Sequence, residues 1–200
     1  MNYLFPEDKI DYNLPNATLI YYPNFFSKPN ADQLLEQLKT DIPWQQDNIT
    51  IFGKTHPQPR LTSLFGNDAK PYSYSNITMQ PNEWNSLLVQ IKNKLEKVCE
   101  EKFTTVLLNY YRDGKDSMGW HSDNEKELEI NPIIASVTFG AERMFHLKHN
   151  IVAEQKLKIN LQHGSLLIMK GETQHFWKHQ IPKTSRPIGE RINLTFRILK

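Results

Sequence analysis

A chain of 200 residues with 38% hydrophobic and 11% aromatic content is long enough to bury a core, which excludes a disordered or low-complexity polypeptide. Its single cysteine, Cys99, excludes an internal disulfide framework and any CxxC metal or redox motif. The net charge of +2 hides an uneven split: residues 143–200 hold 11 Lys/Arg against 3 Asp/Glu, and residues 1–142 hold 13 against 19.

The basic carboxy-terminal part reads either as a footprint for a polyanion or as a solvated face. The opening MNYLFPEDKIDYNLPN carries acids early and lacks a basic segment followed by an apolar run, so no secretory signal is expected there. No stretch approaches the roughly 18 apolar residues of a membrane span. The expectation is a cytoplasmic monomer with no membrane partner. With no repeat or Ser/Gly linker, residues 1–200 are expected to form one domain.

In chain order, the first predicted helix follows Pro29. Ala31, Leu34, Leu35, Leu38 and Ile42 recur at helical spacing, Asn30 with Gln33 resembles a capping box, and Pro43 ends the run. The second follows Pro81–Asn82, with Trp84, Leu87, Leu88, Ile91, Leu95 and Val98 on one stripe. Both stripes read as core supports. From Phe103 onward the chain reads as strands: Thr104–Tyr111, Ile133–Phe139, Gly164–Met169 and Arg191–Leu199. Two helices followed by many short strands predict an α+β, mainly β fold, with helices packed on one side of a double sheet.

The last strand alternates cleanly, with Ile192, Leu194, Phe196 and Ile198 on one face and Arg191, Asn193, Thr195 and Arg197 on the other. The polar face points either to solvent or into a cavity. In a cavity, two guanidiniums suit the two ends of a dicarboxylate, because the planar fork binds carboxylates bidentately and stays charged. Asn109 and Tyr111 share a face on an earlier strand and add neutral donors.

Gly119-Trp120-His121-Ser122-Asp123 places His and Asp at i and i+2 of an extended segment, so both side chains reach toward one point. A lone His-x-Asp is weak, but a distant second imidazole would complete the two-histidine, one-carboxylate face of a non-haem iron site. The downstream choices are His146, His149, His163, His175 and His179. His163 precedes Gly164 and reads as a turn residue, and His146 and His149 fall in a basic hairpin. His175 and His179 follow a buried-type strand, where the chain could return to the site. Rival signatures are missing: there is no HExxH, GxSxG, GxxxxGK[ST] or GxGxxG, and the acidic run Asp123–Glu129 lacks the spacing of a calcium loop.

Four segments together resemble the AlkB-type dioxygenases. They are Asn109-Tyr110-Tyr111 with Asp113-Gly114; Gly119-Trp120-His121-Ser122-Asp123; Trp177-Lys178-His179-Gln180-Ile181-Pro182; and Arg191-Ile192-Asn193-Leu194-Thr195-Phe196-Arg197. The likeness runs from about Ile51 to Leu199 and implies a double-stranded β-helix (jelly-roll) core over 103–200. It implies His179 as the third ligand of iron(II), beside His121 and Asp123. It also implies 2-oxoglutarate and dioxygen as co-substrates filling the other iron positions. Asn109, Tyr111, Arg191, Asn193 and Arg197 would meet 2-oxoglutarate, with Thr195 on the same face. Arg191 and Tyr111 would take the remote carboxylate, and Arg197 and Asn109 would lie nearer the chelating end.

Residues 48–80 would form a nucleotide-recognition lid. Within it, Ile51–Arg60 is similar to the hairpin of the duplex-DNA-active branch, with Phe52 as an aromatic finger and Gly53 and Arg60 beside it. Tyr72 and Tyr74 would hydrogen-bond and stack the base opposite His121, and Glu125 would meet its exocyclic amine. Ser122, Asn124 and a stacking Tyr depart from the family's usual residues and bear on substrate preference. The resemblance implies oxidative demethylation of N-alkylated bases, such as 1-methyladenine and 3-methylcytosine, in alkylated DNA, with RNA as a second substrate. The alternatives are an oxygenase of the same fold acting on RNA, protein or lipid, and a catalytically silent nucleic-acid-binding domain.

Overall fold

The computed structural model describes residues 8–51, 53–67, 72–74 and 77–200. Strands β1 (Ile10–Leu14) and β2 (Ala17–Tyr22) precede helix α1 (Lys28–Asp41). Short strands β3 (Asn48–Ile51), β4 (Lys54–Pro57), β5 (Leu61–Gly66), β6 (Tyr72–Tyr74) and β7 (Ile77–Met79) lead to helix α2 (Ser86–Cys99). Then come β8 (Thr105–Tyr111), β9 (Met118–His121), β10 (Ile134–Gly140), β11 (Arg143–His149), β12 (Lys156–Leu161) and β13 (Ser165–Lys170). A single turn of helix, α3 (Thr173–Phe176), β14 (Trp177–Ile181) and β15 (Arg191–Arg197) complete the order.

Seven strands form one sheet in the order β1-β2-β13-β10-β15-β8-β5, and four form a second in the order β12-β11-β14-β9. Every pairing within both sheets is antiparallel. The sheets face each other across one apolar cluster. Tyr111, Leu167 and Met169 of the large sheet meet Phe145, Leu147, Ile159, Trp177 and Ile181 of the small one. The other face of the large sheet carries Val106, Leu108, Val137, Leu166, Leu194 and Phe196, which pack with Leu34, Leu38, Leu88, Ile91 and Leu95 of the two helices. Each such aliphatic or aromatic side chain contributes about 1.5–3 kcal/mol by leaving water. The result is a mainly β jelly roll with both long helices on one outer face, as the pattern of elements predicts.

The elements differ from expectation at their ends. Helix α1 begins at Lys28, with Ser27 as its N-cap and Pro29 in the first turn, so Asn30 and Gln33 do not form a capping box. Pro29 fits there because the first-turn amides have no intrahelical partner to lose. Helix α2 begins at Ser86, where the Asn85 side chain accepts a hydrogen bond from Leu88 N at 2.8 Å. Trp84 therefore lies before the helix, stacks on Phe196 at 6.3 Å and donates to Asn67 Oδ1. Strand β15 stops at Arg197, and Leu199 makes a separate bridge to Leu128. Strands are not confined to the region after Phe103, since β1, β2 and β5 extend the large sheet at both edges.

Candidate active site

Strand register explains how residues far apart in sequence meet. In β14, Trp177, His179 and Ile181 point inward while Lys178 is exposed, the period-two signature of a one-sided strand. His179 pairs directly with His121 of β9, and the rings lie 4.2 Å apart between centroids. Asp123, two residues beyond His121, places Oδ1 3.8 Å from His121 Nε2 and Oδ2 3.9 Å from His179 Nε2. One donor atom from each of the three residues lies within 4.8 Å of the others.

Electrostatics prepare these groups for a cation. Burial holds the His121 imidazole below its ordinary range and pushes His179 down to about 3, which favours the neutral ring that binds a metal. The His121 Nδ1–H donates to Gly119 O at 2.8 Å, which leaves Nε2 as the ligand atom. Burial alone would raise the Asp123 carboxyl, but the Arg197 guanidinium beside it outweighs burial and holds the group below its ordinary range. Arg197 Nη2 donates to Asp123 Oδ1 at 2.9 Å, and the Asp123 backbone N–H donates to Gln174 Oε1 at 2.9 Å.

The cavity beside this cluster is lined by Asn109, Tyr111, Arg191, Asn193, Thr195 and Arg197. The polar face of β15 is therefore turned inward and not to solvent: Arg191 is 1% exposed and Arg197 2%. Cross-strand pairing sets Arg191 against Tyr111 and Asn193 against both Asn109 and Thr138. Arg191 Nη2 donates to Thr138 Oγ1 and Asn193 Oδ1, while its Nε is buried with no hydrogen-bond partner among the described residues. Burial pulls the Arg191 guanidinium down to about 10, and among the described residues no carboxylate pairs with it. A buried, still cationic fork with an unused donor is what a carboxylate ligand would complete.

Two of the other downstream histidines are occupied elsewhere, and two lie outside the cavity. His163 Nδ1 accepts from Gly140 N, and His149 Nδ1 accepts from Ile151 N and Val152 N in the β11–β12 turn. His146 sits on the outer side of β11, half-buried, and His175 is exposed.

The lid residues are placed unevenly. The β3–β4 hairpin exists, with Gly53 at φ +76° in its two-residue turn and exposed residues from Lys54 to Pro57. Phe52 lies outside the described residues, and Tyr72 and Tyr74 are placed as backbone in β6, their side chains also outside that description. Arg60 is buried and donates from Nε to Asn109 Oδ1 at 2.7 Å and from Nη1 to Ser117 O at 3.2 Å. It also lines a groove with Thr50, Gln58, Trp120, His121 and Lys183, which runs from the hairpin to the metal-ligand cluster. Glu125 is half-buried in the loop after Asp123 and does not line the cavity.

Sequence reasoning missed Gln174, Ser136 and Thr138. Ser136 and Thr138 are the two hydroxyls of an otherwise apolar strand, two apart and on one face, and that spacing is a readable signal. Gln174 offers none, because a glutamine in a one-turn helix is ordinary surface chemistry.

The two-imidazole, one-carboxylate set is the geometry of a non-haem iron(II) oxygenase site. The family description 2OG-Fe(II) oxygenase superfamily matches residues 18–197. The chain belongs to the 2OG-Fe(II) oxygenase superfamily. Within it the chain is AlkB-type: it is 44% identical over 185 residues to alpha-ketoglutarate-dependent dioxygenase alkB homolog 3 of Mus musculus, covering 88% of this chain and 64% of that protein. It is 33% identical over 186 residues to DNA oxidative demethylase ALKBH2 of Bos taurus, covering 88% of this chain and 67% of that one. The chain thus spans about 64% of the length of its alkB homolog 3 relative. The solved structure of OsALKBH1 superposes with a TM-score of 0.65 at 16% identity, covering 93% of this chain and 99% of that one, and shares the fold. The family's cofactors are iron(II), 2-oxoglutarate and dioxygen. The residues here fit the first two: His121, Asp123 and His179 for the metal, and the unneutralised Arg191 for a carboxylate.

Proposed function

We propose that this chain is a dioxygenase that removes N-alkyl groups from nucleic-acid bases by oxidation, with 1-methyladenine and 3-methylcytosine in DNA as substrates. The observation that carries this reading is the convergence of His121, Asp123 and His179 beside the unpartnered Arg191 Nε in one lined cavity. The relatives' names, a dioxygenase and a DNA oxidative demethylase, support the substrate class.

Bound iron, 2-oxoglutarate and dioxygen supply the oxidation, releasing succinate and carbon dioxide, while the N-methyl carbon is hydroxylated and leaves as formaldehyde. The chain's own work is binding and exclusion. His121, Asp123 and His179 hold the metal, and Arg197 keeps Asp123 ionised and aimed. Arg191 and Tyr111 take the remote carboxylate, with Asn109, Asn193 and Thr195 orienting the rest of the molecule. Met118, Phe145, Leu161, Met169 and Ile181 keep the cavity wall apolar, which restricts water at the reacting carbon.

A base must leave its stack to reach this depth. The groove past Trp120, Arg60 and Lys183 supplies the approach, the β3–β4 hairpin with Gly53 at its turn borders that groove, and Phe52 is assigned as the wedge. Tyr72, Tyr74 and Glu125 are assigned to contacts with the extruded base.

The deciding experiment is mass spectrometry of DNA oligonucleotides carrying 1-methyladenine or 3-methylcytosine, with ferrous salt and 2-oxoglutarate present or omitted. Loss of the methyl mass only in the complete mixture is the expected result. Turnover confined to RNA, peptide or lipid would move the chain to another substrate class, and tight DNA binding without succinate formation would make it a silent binder. Phe52→Ala is expected to reduce activity on duplex DNA at least severalfold more than on single strands; equal losses on both would remove the wedge.

A further inference from the structure

Arg143 opens β11 on the inward row that continues with Phe145 and Leu147, and it is 4% exposed. Its guanidinium donates to three backbone carbonyls: Asp113 O at 3.2 Å, Asp116 O at 3.0 Å and Pro182 O at 2.7 Å. The first two belong to the connection that leaves Tyr111 and leads to β9. The third follows Ile181 at the end of β14. Tyr111 and Ile181 both line the cavity, so one side chain clamps the chain just beyond two of its wall residues.

The clamped segments also touch directly, since Thr184 N donates to Gly114 O at 2.8 Å. A Cβ at Gly114 would stand 2.6 Å from Thr184 O, so only glycine permits this approach.

Arg143 has a second relation to the cavity. Its guanidinium carbon lies 5.8 Å from the Tyr111 ring centroid, and that of Arg191 lies 5.1 Å from the same centroid. Both distances are within cation–π reach. Among the described residues neither arginine is paired with an acid; Asp116 pairs with Arg112, and Asp123 pairs with Arg197. Two buried positive charges therefore flank one tyrosine at the end of the cavity remote from Asp123. Carbonyls satisfy the donors of Arg143, and the nearby Asp116 and Asp113 act on it only through space without an ion pair, so part of its field remains available to an anion held by Arg191 and Tyr111.

We propose that Arg143 is a positioning residue for the remote carboxylate of 2-oxoglutarate, acting through Tyr111, the two clamped wall segments and its own positive charge. This rests on the oxygenase reading above. It means that Arg143 discriminates a dicarboxylate from a 2-oxo acid with one carboxylate, although it need not touch either.

The test is calorimetric binding to the anaerobic manganese(II)-loaded protein, comparing 2-oxoglutarate with 2-oxopentanoate, which lacks the remote carboxylate. Arg143→Met is expected to weaken 2-oxoglutarate about tenfold or more while changing 2-oxopentanoate by less than about twofold. Arg143→Lys keeps the charge but not the three-carbonyl fork, and is expected to fall between wild type and the Met variant. It supplies the same ratio if the Met variant fails to fold. Parallel weakening of both acids would make Arg143 a general structural residue and overturn the proposal, as would an unchanged preference for 2-oxoglutarate. If the wild-type protein itself binds both acids alike, or neither, the assignment of the cavity to 2-oxoglutarate fails instead, and the role of Arg143 fails with it.

Discussion

On the helix side of β15, Ile192, Leu194 and Phe196 are fully buried, while on its other side Arg191, Asn193, Thr195 and Arg197 are nearly as hidden from water. Exposure does not separate the two faces; what they meet does. The apolar face meets side chains of α1 and α2, so its burial returns free energy directly. The polar face meets a cavity, where Arg191 keeps one donor unused. Burying such a group without a partner costs stability, and the helix-side core must offset it. The lesson is a division of labour within one strand: alternate residues hold the fold or line the cavity proposed for the ligand.

The largest expected effect tests the metal cluster. Asp123→Ala removes one of the three proposed metal ligands and breaks its buried ion pair with Arg197. Iron binding should be lost, and the metal-free protein should lose about 3–5 kcal/mol, the usual consequence of breaking a buried ion pair from one side. Metal content and denaturant unfolding measure the two effects, and stoichiometric iron in the variant would remove Asp123 from the ligand set.

The sharpest test pairs neighbours on opposite faces. Leu194→Ala should lower stability by about 2–5 kcal/mol through its cavity and leave 2-oxoglutarate affinity in the folded protein unchanged. Arg191→Met should do the reverse. Affinity should fall about a hundredfold or more, because the charged fork is gone, while the ligand-free protein melts at the same temperature or higher. If Arg191→Met unfolds the protein as severely as Leu194→Ala, the guanidinium is a structural element and the division of labour is wrong.

Much of this was readable because period and spacing are local. The β15 alternation and the His121-x-Asp123 pair follow from residues adjacent in sequence, and the resemblance named His179 among five histidines. The direction of the polar face was not readable, because alternation specifies two sides without saying which meets water. Nor was the burial of Arg60, which depends on Asn109 across the β5–β8 pairing. Gln174 was hidden for the same reason: its role exists only where α3 comes to lie beside the Asp123 amide. The helix starts were misplaced because Asn30–Gln33 and Pro81–Asn82 carry start signals of the same kind as Ser27 and Asn85, and the packing of the stripes decides among them.

The smallest effect belongs to the helix layer, which should influence the site only through stability. Asn85 caps α2 by accepting from Leu88 N, whereas the Ser27 side chain makes no such bond at the start of α1. Asn85→Ala should therefore cost about 1 kcal/mol, and Ser27→Ala should cost less. In both variants the affinity for 2-oxoglutarate should stay at the wild-type value, because α2 packs its Leu88 and Ile91 against the apolar face of the large sheet and contributes no residue to the cavity. Melting curves with and without 2-oxoglutarate separate the two quantities. A ligand-dependent shift that shrinks in Asn85→Ala would show that strain passes through β15 from one face to the other, and the two faces would then be coupled.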